Sequence, residues 1–310
     1  MRLILATTLL LGTTGCAAFS DESTHTADGK VSVAAAFYPL AFVAQRVGGP
    51  DVAVTNLTQP GAEPHDLELT PRETAEVEDA DLVLVEHGLQ PAVDDAVDEV
   101  ATGQVLDAAD VVDLLPMAED DDQHSADSTE ESHGHDDEVD PHFWQDPQRM
   151  VQLTDAVADE LAKVDPDHAD TYRANGAKLK DDLESVATAY QQGLQGCARD
   201  TIVVSHDAFG YLAPYGLHVE GIAGLSPDAE PTPADLARLQ DLIESDGITT
   251  VFSERLVSPE LAQTLADDMG ITTAVLDPIE GLSDDTADED YLSLMRGNLA
   301  ALELANGCPS

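Results

Sequence analysis

Short apolar runs alternate with helix-period patterns through both halves of this chain. In the first half, Val31 to Phe37, Val52 to Leu57 and Leu82 to Val85 are apolar enough to predict buried strands. Helical spacing around Leu40 to Val47, Pro71 to Glu78 and Pro91 to Val100 separates them. In the second half the strand candidates are Thr201 to Val204, His218 to Ile222, Thr249 to Phe252 and Thr273 to Leu276. Their helical partners are Ala208 to Tyr215, Pro233 to Glu244, Pro259 to Met269 and Tyr291 to Leu304. Strands alternating with helices predict an α/β fold of two lobes, each a parallel sheet flanked by helices. No internal sequence repeat is strong enough to mark a duplication.

The stretch between the halves has a steadier rhythm. Asp146-Pro147 supplies a capping acid and a first-turn proline, so a helix should begin there and stop near Val164, before Asp165-Pro166. Beyond it, Tyr172, Leu179, Leu183, Val186, Tyr190 and Leu194 recur at spacings of three, four or seven. A single helix from Asp167 to Leu194 would be about 42 Å long, a rigid strut rather than a flexible linker. The organisation expected is an N-terminal lobe over 31–164, a connecting helix over 165–195 and a C-terminal lobe over 196–310.

The N-terminus departs from this alternation. Arg2, the apolar run Leu3 to Leu11 and Gly12-Thr13-Thr14-Gly15-Cys16 read as an export signal over 1–15. The run falls short of the ~20 apolar residues that span a bilayer. Small residues before Cys16 resemble a bacterial lipoprotein cleavage box, which makes Cys16 the lipid-bearing residue and 16–30 a polar tether to the outer face of the membrane. In that oxidising compartment the other two cysteines, Cys197 and Cys308, are expected to pair.

Composition narrows the partners. With 62 acidic against 13 basic residues and a formal charge of -49, the chain is a poor match for nucleic acid or anionic lipid headgroups. The acids are spread along the chain, as on a solvated surface suited to a saline habitat. Long-range cation steering is the other reading, though at ~1 M salt the screening length is only about 3 Å. The segment 119–138 is crowded with Asp and Glu and carries His124, His133 and His135, so it should be a disordered loop able to collect divalent metal.

Three further histidines sit in turn-like settings: His65 in PGAEPHD, His142 in DPHFWQDP and His206 in SHDAFGY. Three neutral imidazoles leave one tetrahedral position of a zinc site for a carboxylate or water. Open α/β sheets bind ligands beyond the carboxyl ends of strands. His206 and Asp277 each follow a predicted strand, His65 lies in a loop after one, and His142 precedes the helix begun by Asp146. Asp277 is therefore the expected fourth ligand, with Glu63, Glu280 and water as alternatives. His87 also follows a strand but lies in no recognisable motif, and is assigned a supporting or structural role.

PGAEPHD, DPHFWQDP, SHDAFGY, the late LDP and the long central helix together resemble the zinc- and manganese-type solute-binding lipoproteins of bacterial metal ABC importers. The resemblance covers nearly the whole chain after the signal. It implies two lobes joined by one rigid helix, with metal held between them by His65, His142, His206 and Asp277 and handed to a membrane permease. Manganese-type members have glutamate where His206 stands, whereas zinc-type members have histidine and often a His-rich acidic loop; Pro64 departs from the glutamate of zinc-type members. Three imidazoles and a carboxylate also suit Zn²⁺ better than Mn²⁺, which favours more oxygen ligands. The expected function is capture of extracytoplasmic zinc by a monomeric, non-enzymatic binding protein. A manganese-specific protein, a zinc hydrolase and an adhesin are the alternatives; the HExxH spacing of one hydrolase class is absent. Mass spectrometry of the membrane fraction should find diacylglycerol on Cys16, and an unmodified N-terminus elsewhere rejects the anchor.

Overall fold

The computed structural model describes residues 29–116 and 139–309. Cys16, the export signal, the tether up to residue 28 and His124, His133 and His135 lie outside the described residues. The first lobe runs β1 (Val31–Ala35), α1 (Tyr38–Gly48), β2 (Val52–Asn56), α2 (Pro71–Asp79), β3 (Leu82–Val85), α3 (Pro91–Val100) and β4 (Gln104–Asp107). Its strands form a parallel sheet in the order β2-β1-β3-β4. A two-residue antiparallel pair follows, β5 (Leu115–Pro116) against β6 (Val139–Asp140).

Two long helices come next, α4 (Pro147–Val164) and α5 (Ala169–Gly193). Asp146 caps α4 by accepting from the Gln148 N–H at 2.9 Å, with Pro147 in the first turn. The second lobe runs β7 (Thr201–His206), β8 (His218–Ala223), α6 (Pro233–Asp246), β9 (Thr250–Ser253), α7 (Glu260–Met269), β10 (Thr272–Val275) and α8 (Tyr291–Asn306). Its sheet is parallel in the order β10-β9-β7-β8. Each lobe thus places its first strand beside its second on one side and its third on the other. The chain reverses direction across each sheet at that junction, which opens a crevice beyond the strand ends where ligands bind.

Two local expectations differ from the structure. Ala208 to Tyr215 contains only a 3-10 turn, Gly210–Tyr215, because Pro214 lies inside it and Gly216 ends it in the left-handed region (φ +90°). Strand β4 escapes the hydrophobic pattern because it is an edge strand in which only Leu106 is buried and Val105 is 43% exposed.

Helix α5, 25 residues and about 37 Å long, grips both lobes. Near its start Asn175 donates to the Val47 carbonyl at 3.0 Å, and Asp182 pairs with Arg46 at 2.7 Å, both on α1. Near its end the Tyr190 hydroxyl donates to the Met295 carbonyl of α8 at 2.8 Å. An aromatic wedge also joins the lobes: Phe37 packs on Trp144 within the first half at 4.8 Å, and Tyr291 of α8 meets Phe42 at 5.3 Å between ring centroids and donates its hydroxyl to the Trp144 carbonyl, all four residues buried. The main apolar core runs through this wedge from one lobe to the other, and a smaller core underlies α6 and α7.

Cys197 and Cys308 are joined in a disulfide that ties the end of α8 to the turn after α5. The bridge closes a sequence separation of 111 residues. Replacing both cysteines with alanine should cost about 5 kcal/mol of unfolding free energy in the chain-entropy model, read by denaturant titration. An unchanged midpoint and slope would show that the bridge adds nothing.

Candidate metal centre

His206 ends β7, so its side chain starts at the carboxyl edge of the second sheet. His142 precedes the 3-10 turn Phe143–Gln145 that leads into α4. His65 lies in the loop after β2, which Gln90 steadies by donating to Thr58 Oγ1 at 3.0 Å and to the Pro64 carbonyl at 3.1 Å. That loop also reaches the other lobe, where the Gly61 N–H donates to the Leu282 carbonyl at 2.7 Å. The three imidazoles converge, with ring centroids 5.3 to 6.0 Å apart.

The carboxylate facing them belongs to Glu280. Its Oε1 lies 3.4 Å from His65 Nε2, 3.4 Å from His142 Nε2 and 3.5 Å from His206 Nε2. These four atoms are buried and none has a hydrogen-bond partner. Bonds of about 2.0–2.1 Å at tetrahedral angles put neighbouring donors about 3.3–3.4 Å apart, which the three Glu280 distances match, and all four donor atoms lie within 4.8 Å of one another. Among the described residues this is the group of His, Cys, Asp and Glu side chains gathered closely enough to hold a metal.

The structure does not bring Asp277, the expected fourth ligand, into this group. Asp277 is buried, but its Oδ2 pairs with Arg255 Nε at 3.0 Å and its Oδ1 accepts from the Ile279 N–H at 2.8 Å. The chain then reverses at Ile279, which has φ +60° and is the one non-glycine residue with positive φ among those described. A β-branched residue in this region costs about 1–3 kcal/mol, and the reversal directs the next side chain, Glu280, at the imidazoles. Glu63 stands one step outside, its Oε1 4.0 Å from His65 Nε2. His87 is exposed, 3.4 Å from Asp94, and takes no part.

Two carboxylates behind the imidazoles were not foreseen as participants. Asp140 Oδ1 is 2.7 Å from His142 Nδ1, and Glu254 Oε1 is 2.7 Å from His206 Nδ1. Each holds its ring with Nδ1 as the proton donor, so that Nε2 is the nitrogen turned inward to meet a metal, and raises its basicity. Glu254 directly follows β9, so the strand-end rule already contained the signal for it. His65, with 12% of its side chain exposed, has no such carboxylate behind it among the described residues, which makes it the ligand nearest solvent and least restrained.

Electrostatics tightens the cluster. Burial pushes the Glu280 carboxyl up, but His142, His206 and His65 outweigh burial and hold it well below the ordinary carboxylate value. Burial pulls His206 down, yet Glu254 and Glu280 outweigh it and lift the imidazole to about 10. His142 is raised in the same manner, against burial, by Asp140 and Glu280. Glu86, which follows β3 as Glu254 follows β9, faces no imidazole; burial, then Asp107, Asp94 and Asp140, push it up to about 9 and keep it neutral.

A family model described as zinc-uptake complex component A, periplasmic (ZnuA), matches residues 33–305. Zinc-binding lipoprotein AdcA of Streptococcus pneumoniae is 36% identical over 284 residues, covering 89% of this chain and 56% of that protein. The chain thus spans about half the length of the AdcA relatives it matches. The high-affinity zinc uptake system protein ZnuA of Bacillus subtilis is 31% identical over 281 residues, covering 88% of this chain and 87% of that protein. Among solved structures, Zn(II)-bound AdcA from S. pneumoniae superposes with a TM-score of 0.74 at 32% identity, over 91% of this chain and 59% of that one. The laminin-binding protein Lmb of Streptococcus agalactiae, described as bifunctional with adhesin and metal transporting activity, gives 0.76 at 29% identity, over 89% and 99%.

The charge pattern generates a pH prediction. A raised imidazole pKa means that metal-free His206 keeps a proton up to about pH 10, and a metal must displace it. Binding at pH 7 should therefore release about one proton or more per ion, and apparent affinity should rise with pH toward that value and fall in acid. Calorimetry in buffers of different ionisation enthalpy measures the release; zero protons would refute the arrangement.

Proposed function

Because this chain belongs to the family of periplasmic zinc-uptake components, we propose that it captures Zn²⁺ outside the cytoplasm and passes it to the permease of an ABC importer. The observation that carries this reading is the set of four buried, unpartnered donor atoms that all lie within 4.8 Å of one another. His65, His142, His206 and Glu280 bind the ion as cargo. Three imidazoles and one carboxylate favour zinc over manganese by donor type and coordination number. Four protein donors also fill a tetrahedral shell, which leaves no position for the activated water of a hydrolase.

Release proceeds by local movement rather than by wide opening of the lobes. Tyr291, packed on Phe42 and bonded to the Trp144 carbonyl, and α5, in the connecting segment 165–195, hold the working lobes, 31–164 and 196–310, against each other. His65 is the first ligand to let go, being partly exposed and unrestrained at Nδ1. The tract bearing His124, His133 and His135 gathers zinc for the site; its described flanks meet in the β5–β6 pair, and Asp140 of that pair holds His142. A lipid on Cys16 keeps the protein at the membrane beside the permease.

Chelator competition on the isolated protein tests the assignment. Glu280→Ala and His142→Ala should each weaken zinc binding by at least about 100-fold, more than loss of an outer hydrogen-bond partner typically costs. Wild-type preference for manganese would overturn the choice of cargo, and unchanged zinc affinity in both variants would overturn the site.

A further inference from the structure

The turn that carries Glu280 is held from three directions. Asn298 of α8 accepts from the Asp277 N–H at 2.9 Å and donates from its amide nitrogen to the Asp277 carbonyl at 2.6 Å. Arg255, one residue beyond Glu254, pairs with Asp277 at 3.0 Å. From the other side, Trp144 Nε1 donates to the Pro278 carbonyl at 2.7 Å, and Gln145 Nε2 donates to the same oxygen. Between these holds sits Ile279, buried and in the left-handed region. A backbone conformation of this kind persists only where its surroundings over-determine it.

We propose that Arg255, Asp277 and Asn298 are positioning residues that clamp the 277–280 turn in the conformation that presents Glu280 to the metal. The inference rests on the metal-binding reading above. Asp277 is the centre of the clamp: one carboxylate oxygen forms an ion pair with Arg255, the other accepts from the Ile279 N–H, and its peptide groups bond to the Asn298 amide. Without these holds the turn relaxes out of the left-handed conformation, and Glu280 swings away from the three imidazoles. The clamp is also reachable from solvent. Arg255 is 36% exposed and lines a cavity of about 200 Å³ with Asp277, Asp285, Glu289 and Asn298. Loosening Arg255 therefore gives a route for changing metal affinity from outside the site, without disturbing an imidazole.

Arg255 is the clamp residue whose removal leaves the core packing in place, so the test is a double-variant cycle with Arg255→Ala and Glu280→Ala in the full-length protein. Zinc affinity is read by chelator competition, and the visible spectrum of the Co²⁺-loaded protein reports coordination. In the wild-type background, R255A should weaken zinc binding by about 10- to 100-fold, as loss of an outer partner does. In the E280A background it should change affinity by less than about twofold, since residues acting through one another are not additive. The Co²⁺ spectrum of R255A should shift toward that of E280A, and Arg255→Lys, which keeps the charge, should recover part of the affinity. Equal losses in both backgrounds, or no loss in either, would overturn the clamp. Failure of the wild-type protein to bind zinc, or of E280A to weaken binding, would instead overturn the functional reading on which the clamp rests.

Discussion

Three imidazole nitrogens and one carboxylate oxygen, buried and crowded within 3.5 Å of Glu280 Oε1, are the constraint around which the molecule is organised. Their separations exceed a good hydrogen bond, and water does not reach them. Buried polar atoms in this condition are costly unless a cation satisfies them. Protons do so in part, which is why His206 and His142 are raised while Glu280 is depressed. A divalent ion does it more fully, since one charge centre meets all four lone pairs. Asp140 and Glu254 hold two of the rings ready for that exchange.

The fold serves this convergence. Each lobe repeats one strand order, so each opens its crevice beyond the junction of its first and third strands. His206 and Glu254 come from that junction in the second lobe, and His65 and His142 approach from segments of the first half of the chain. Helix α5 and the Phe37, Phe42, Trp144 and Tyr291 wedge then fix the distance between the lobes. The turn before Glu280 touches the same joint: Trp144, whose carbonyl accepts from Tyr291, donates its indole N–H to the Pro278 carbonyl. One indole ring thus lies at both the lobe contact and the turn that carries Glu280.

The large negative charge acts on a different level. An excess of 62 acidic over 13 basic residues governs solubility and the partners the surface excludes. The site uses a few of those acids in the opposite way, buried and paired with imidazoles, so composition alone does not single them out. Glu86 and Glu254 make the contrast plain. Both follow the third strand of a sheet, but Glu254 meets His206 and is a partner, whereas Glu86 is pushed to about 9 by burial and then by the neighbouring acids Asp107, Asp94 and Asp140.

Much of the architecture was legible along the chain, because strand and helix periodicities are local consequences of which side chains face a core. The two α/β lobes, helix α4 with its Asp146 cap, the long α5 and the three histidines were all readable in this way. The edge strand β4 was not, since a strand with one buried side chain has almost no apolar pattern. The pairing of Cys197 with Cys308 was expected from compartment and count. The fourth metal-facing group was decided only in three dimensions. Strand-end logic points to the first carboxylate after β10, Asp277, but Arg255 and Asn298, from β9's end and from α8, claim that residue. After the left-handed turn at Ile279 it is Glu280, three residues on, that faces the imidazoles. Local sequence records what a residue is able to bind; long-range neighbours determine which partner it meets.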